Sequence, residues 1–137
     1  MIKLNRISNW PTLLGHFFAS NSEKPFVWGE WDCALMAADA VKVMTDHDYA
    51  EALRFQYTDA KGAMRLIEPH GDLRGLIEHL LGSPITNHRL IQRGDVAVVD
   101  NEGRQCTGIV WGSGIFATGE KGLVSLPMSS IIAAWRI

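Results

Sequence analysis

Apolar residues recur at helical spacing through the first two thirds of the chain and alternate as in strands through the last third. Leu13, Leu14, Phe17 and Phe18 mark one stripe of a first helix, which Ser8 or Asn9 can cap and whose opening turn holds Pro11. The polar stretch 20–24 ends it. Pro25-Phe26-Val27 favours extended chain, because the residue before a proline leaves the helical region and Phe and Val suit strands. Asp32 can cap a second helix over residues 34–45, where Leu35, Met36, Val41 and Met44 predict a largely buried element. Residues 45–48 close it, and 49–54 suggest a helical turn. Thr58 or Asp59 opens a third helix through Ile67, Pro69-His70-Gly71 stops it, and Asp72 caps a fourth that reaches Leu81 before the turn Gly82-Ser83-Pro84.

From Gly94 the pattern predicts strands over 95–99, 105–111, 115–118, 122–126 and 131–137, with turns at Asn101-Glu102-Gly103 and Gly112-Ser113-Gly114. Helices first and strands afterwards predict an α+β fold, the N-terminal helices packed on a C-terminal antiparallel sheet, rather than alternating βαβ units. Length agrees with one domain over 1–137: at 137 residues with 47% apolar, the chain can bury a proper core.

Charge and composition narrow the partners. The net charge is −2 and the basic residues are scattered, so no stripe predicts binding to nucleic acid. The start Met1-Ile2-Lys3-Leu4-Asn5-Arg6 lacks the pattern of a signal segment, and no apolar run is long enough for a membrane span. Cytoplasmic synthesis is the expectation. The two cysteines, 73 positions apart, suggest neither a disulfide scaffold nor a zinc knuckle. Asp46 and Asp48 are too small a cluster for a metal, and the glycines at 108, 112, 114, 119 and 122 suit hairpins and bulges rather than a phosphate cradle. No cofactor is expected.

Candidate chemistry concentrates in Trp28-Gly29-Glu30-Trp31-Asp32-Cys33, which sets Cys33 at a helix start. First-turn N–H groups and the helix dipole there favour thiolate, the nucleophilic form. A small buried residue is the alternative role for Cys33, and Asp32 is a helix cap in either case. Trp28, Trp31 and Trp111 suit core or rim packing, or a groove that stacks sugar rings or anchors a partner. Asp95 suits satisfaction of turn N–H groups where the sheet opens.

The order Phe26-x-Trp28-Gly29, Asp32-Cys33 and a helix, then Arg93-Gly94-Asp95-Val96 and Thr107-Gly108-Ile109-Val110, resembles the NlpC-like cell-wall cysteine peptidases. That resemblance implies a papain-like NlpC-type fold with Cys33 at the nucleophile position. Residues 28–48, Tyr57-Thr58-x-Ala60-x-Gly62-Ala63, Arg93-Gly94-Asp95 and Ala134-Trp135-Arg136 further resemble small phage and prophage proteins whose genes lie among those for tail-tip assembly. The implied role is a virion protein of the distal tail or its assembly factor, made in the host cytoplasm and then carried in the tail. Implied partners are other tail-tip proteins and, through the peptidase resemblance, peptidoglycan of the cell wall.

One departure changes the expected chemistry. Where the peptidases carry His-x-Gly-Ile, this chain reads Cys106-Thr107-Gly108-Ile109, so Cys106 stands at the position of the missing base. Cysteine hydrolases need an imidazole to hold the thiolate and protonate the leaving amine, help worth ~100- to 10,000-fold. Of the histidines, His16 suits a helix surface, His47 lies about 20 Å from Cys33 along the second helix at ~1.5 Å per residue, and His70 and His79 suit structural positions. His88, in the connection before the sheet, is the remaining candidate base. Three functions stay open: a tail-tip component with a degenerate peptidase fold, an active peptidase or amidase opening the cell wall during DNA entry, and redox or soft-metal chemistry of Cys33 with Cys106. The missing base weighs against hydrolysis.

Overall fold

Short acidic residues set the helix starts. In the computed structural model, which describes residues 4–137, Asp32 accepts from the Leu35 N–H and opens α2 (Cys33–Thr45), Asp59 accepts from Gly62 and opens α3 (Ala60–Ile67), and Asp72 accepts from Gly75 and opens α4 (Leu73–Leu81). Residues 1–3 of the stretch inspected for a signal segment lie outside the described residues. Asn9 precedes α1 (Trp10–Ser20) without a side-chain cap bond, and Pro11 pre-sets the first turn instead. Each such cap contributes about 1 kcal/mol.

The five expected strands form one antiparallel sheet: β1 (Val96–Asn101), β2 (Arg104–Trp111), β3 (Gly114–Gly119), β4 (Gly122–Pro127) and β5 (Ile131–Trp135). Their order is β4-β3-β2-β1-β5. Four strands meander through tight turns, and the fifth crosses back to pair with β1, Val96 opposite Trp135. The architecture is therefore α+β, as the segregated pattern predicts.

Strand alternation supplies both faces of the sheet. Val96, Val98, Ile109, Ala133 and Trp135 join Leu14, Leu35, Met36, Met44 and Ile77 in the main core, and burial of each large aliphatic side chain there contributes about 1.5–3 kcal/mol. Ala97, Val99, Val110, Ile115 and Ala134 form a smaller cluster with Ile85 and Ile91. In α2, Ala34, Ala37, Ala38 and Ala40 are all buried, and their small side chains let the helix lie close against α1, β2 and β3. No described helix is long and apolar enough to cross a membrane.

Asp95 satisfies a turn N–H, that of Gln92, as its position predicts. It also does something the sequence hides. Its fully buried carboxylate takes a 2.9 Å ion pair from Arg6, whose guanidinium also donates to the Ile137 and Arg93 carbonyls. One arginine thus ties the segment before α1 to the start of β1 and the end of β5.

Candidate functional site

The backbone around Asp32 is built for close approach. Gly29 has φ +78°, and a Cβ there would lie 2.0 Å from the Tyr57 carbonyl oxygen. A Cβ on Gly62 would lie 2.7 Å from the Tyr57 Cβ. The two glycines therefore hem in Tyr57, whose hydroxyl donates to Asp32 Oδ2. The same oxygen accepts from the Gly29 N–H at 3.0 Å, while Oδ1 accepts from Leu35 at 3.0 Å. Asp32 is thus the cap the sequence predicts and also the node joining three segments: the 26–31 turn, α2 and the 55–59 approach to α3. Phe55 shares that junction, its N–H bonded to the Gly29 carbonyl, with φ +61° and a side chain 73% exposed.

Cys33 is the first residue of α2, and Cys106 lies on β2 opposite Val99 of β1. Both are free thiols of intermediate exposure; Cys33 packs against the main core and Cys106 against the smaller cluster on the other face of the sheet. The neighbouring Cys106 thiol, burial and the Asp32 carboxylate push the Cys33 pKa well above the ordinary thiol range, against a lowering effect from the Thr107 backbone. Cys106 moves the other way. The neighbouring Cys33 thiol lowers its pKa to about 7 against the opposing effect of burial, helped by the Asn101 side chain and the positive charge of Arg104. The upward direction of the Cys33 shift runs against the thiolate that a helix start favours. Asp32 already occupies the first-turn N–H of α2 and places a negative charge beside Cys33, so the helix end no longer rewards a second anion there.

Two phenols complete the surroundings. Burial raises the Tyr57 pKa first and its bond to Asp32 second, while burial and then the neighbouring Cys33 raise that of Tyr49. Both remain protonated donors at neutral pH. The Tyr49 hydroxyl and the Thr107 hydroxyl are buried without a protein partner.

Among the described residues no histidine hydrogen-bonds either sulfur. His88 is exposed in the 3₁₀ turn His88–Leu90, whose Leu90 carbonyl accepts from Arg136 just past the Trp135–Val96 pair. Cys106 pairs three residues further along β1, at Val99, which sets the His88 segment at the other end of the strand, roughly 10 Å away at ~3.3 Å per residue. The candidate base is therefore not brought to the thiols. His16 is exposed on α1, His47 follows the far end of α2 with Nε2 buried, and His70 and His79 stack with ring centroids 4.5 Å apart. Among the described residues no group of three or more His, Cys, Asp and Glu side chains could hold a metal.

The tryptophans do not form a common groove. Trp31 is 1% exposed, with Phe17 against its ring and the Lys24 ammonium 4.2 Å from its centroid, so the groove role expected of it is corrected to core packing. Its outward neighbour takes the solvent instead. Trp28 is 38% exposed and meets Phe26 and Tyr57 edge-on. Trp111 packs against Trp10 and Phe18 at the far end of β2 from Cys106. Tyr57, Tyr49, Asn101 and Arg104 escaped the sequence analysis as site residues. Of these only Tyr57 carried a signal, since it opens one of the segments that resemble the phage proteins.

A comparison with curated proteins and one with solved structures each gave no match. A family model does match, over residues 5–137, and it carries the description "domain of unknown function (DUF6950)". With its thiol pair, its Asp32 node and nearly every residue inside that match, the chain belongs to the DUF6950 family.

Proposed function

We propose that this protein is a phage or prophage tail-tip component, or an assembly protein for one, built on a papain-like NlpC-type fold whose peptidase site has degenerated. The observation that carries the proposal is the lack, among the described residues, of an imidazole beside Cys33: Cys106 lies on β2, and His88, the candidate base, sits at the other end of β1. A thiol stands where the resemblance expects the imidazole, and it draws the negative charge away from the nucleophile position instead of delivering it there. A Cys33 held as neutral thiol attacks an amide poorly, and no imidazole of the described residues stands beside it to take its proton and pass it to a leaving amine. Retention of the helix-start cysteine, the Asp32 cap and the antiparallel sheet supports descent from a peptidase. The tail-tip part rests on the resemblance of four sequence segments to the phage proteins.

Incubation of the purified protein with peptidoglycan tests the first part: no stem-peptide release above the level of Cys33→Ala is expected. Release that Cys33→Ala abolishes refutes the degenerate site and restores the active peptidase. Antibody labelling of intact particles tests the second, with label expected at the distal end of the tail. Deletion of the gene leaving tail assembly and infectivity unchanged would refute a tail-tip role.

A further inference from the structure

Three guanidinium groups converge where the segment before α1 meets the start of β1 and the end of β5. Trp10 carries two of them, the Cζ of Arg6 at 4.2 Å and that of Arg93 at 5.4 Å from its ring centroid. Asp95 carries two, with Arg6 Nη2 at 2.9 Å and Arg136 Nε at 3.5 Å from the same carboxylate oxygen. Three cations therefore face a single side-chain carboxylate, and Arg6, common to both groupings, holds it most closely. Burial lowers the Arg6 pKa, Asp95 opposes that effect, and the charges of Arg136 and Arg93 lower it further, so the three like charges feel one another. The two outer members face solvent. Arg93 is exposed and, among the described residues, has no carboxylate partner; the Arg136 side chain is 48% exposed and gives one bond to the Leu90 carbonyl. Apolar side chains flank them: Ile7, next to Arg6, is 39% exposed, and Leu90 is 55% exposed. Arginine and tryptophan beside exposed aliphatic residues are the composition of a protein interface, whereas a phosphate-backbone site needs cations alone.

We propose that this arginine cluster docks an acidic segment of a partner protein, whose carboxylates pair with Arg93 and Arg136 and whose apolar side chains lie on Ile7 and Leu90. The planar guanidinium fork matches a carboxylate through two parallel N–H donors, which an ammonium cannot offer. Incoming carboxylates also relieve the repulsion among the three like charges. The chain as a whole carries a net charge of −2, so the positive excess is local. A long polyanion meets repulsion beyond the cluster, and a short acidic segment does not. The cluster binds such a segment whether or not the protein belongs to a tail.

The experiment titrates the full chain into a fluorescein-labelled peptide of alternating glutamate and leucine, read by anisotropy at low salt. Saturable binding is expected, and it should weaken several-fold at about 0.15 M salt, where screening sets in beyond about 8 Å. Arg93→Glu should weaken binding roughly tenfold, since it replaces an attraction by a repulsion, and Arg136→Gln should weaken it several-fold. Lys121→Glu makes the same charge change in the β3–β4 turn, at the other end of the sheet, and should shift affinity by less than about twofold. Circular dichroism checks that each variant folds. No binding, equal affinity for the peptide with glutamine in place of glutamate, tighter binding of a labelled oligothymidylate of the same length, or unchanged affinity in Arg93→Glu would overturn the proposal. So would a salt-sensitive dimer that Arg93→Glu dissolves, because a second copy would then fill the cluster. None of these results bears on peptidoglycan cleavage or on the tail, so the two readings fail separately.

Discussion

Replacement of Asp32 by alanine removes three bonds at once, and its cost can be assembled from their separate environments. Loss of the cap to Leu35 costs about 1 kcal/mol. The Gly29 N–H and the Tyr57 hydroxyl lose their buried acceptor together, and a buried group left unpaired costs about 1–3 kcal/mol. Taking the lower end for each, since a methyl in place of a carboxylate admits some water, Asp32→Ala should destabilise by roughly 3–4 kcal/mol. With a urea slope of about 1.5–2 kcal/mol per molar, the unfolding midpoint should fall by about 2 M at unchanged slope. Asp32→Asn keeps an acceptor for the cap and should lose only about half as much. A loss under about 1 kcal/mol in Asp32→Ala, or equal losses in the two variants, would show that the carboxylate is not the node joining these segments.

Gly29→Ala places a Cβ 2.0 Å from the Tyr57 carbonyl on a left-handed backbone and should cost about 2–5 kcal/mol in thermal or urea unfolding, combining backbone and packing penalties. Arg6→Ala leaves the buried Asp95 carboxylate with the Gln92 N–H and the longer Arg136 ion pair at 3.5 Å, and should cost about 3 kcal/mol, read in the same assay. Alkylation of Cys106 should titrate with a midpoint near 7 and move up toward the ordinary thiol range in Cys33→Ala, which removes the neighbouring thiol; mass mapping of iodoacetamide adducts across pH measures both. Stability should follow from the same pair. Because Cys106 gives up its proton at lower pH folded than unfolded, its contribution is present above the ordinary thiol pKa and is lost as pH falls through about 7. Cys33, shifted up, has the opposite sign: its contribution is present below the ordinary value and lost as pH rises through its folded pKa, so urea midpoints should pass through a maximum between the two.

Secondary structure was legible to within a residue or two because local chemistry decides it. Asp32, Asp59 and Asp72 each cap the helix that follows, and the glycine turns fall between the strands they were expected to separate. The site was legible only as a position. That Cys33 opens a helix and Cys106 lies on the second strand follows from the local pattern, but the direction in which each thiol shifts depends on Asp32, Asn101 and Arg104, which sequence order does not relate. Trp31 shows the same limit. Trp28 and Trp31 share one short turn, yet one is exposed and the other sits under Phe17 and Lys24, and side-chain direction within an irregular segment has no sequence period to reveal it. The pairing of β5 with β1, and the ion pair from Arg6 to Asp95, likewise join residues with no local relation.

The return of β5 to β1 also sets an order of assembly. Each pairing from β1 to β4 closes a short turn, whereas β5 reaches its partner across the three intervening strands, bringing Trp135 to Val96 over 39 residues. Closing that loop costs more chain entropy than any hairpin in the sheet, so β5 docks after the meander has formed. Until it does, β1 presents an unpaired edge with Val96 and Val98 uncovered, and the growing sheet is open to pairing with another chain. The last strand therefore acts as the chain's own edge cover, and truncation before residue 131 should leave a species prone to self-association rather than a smaller stable fold.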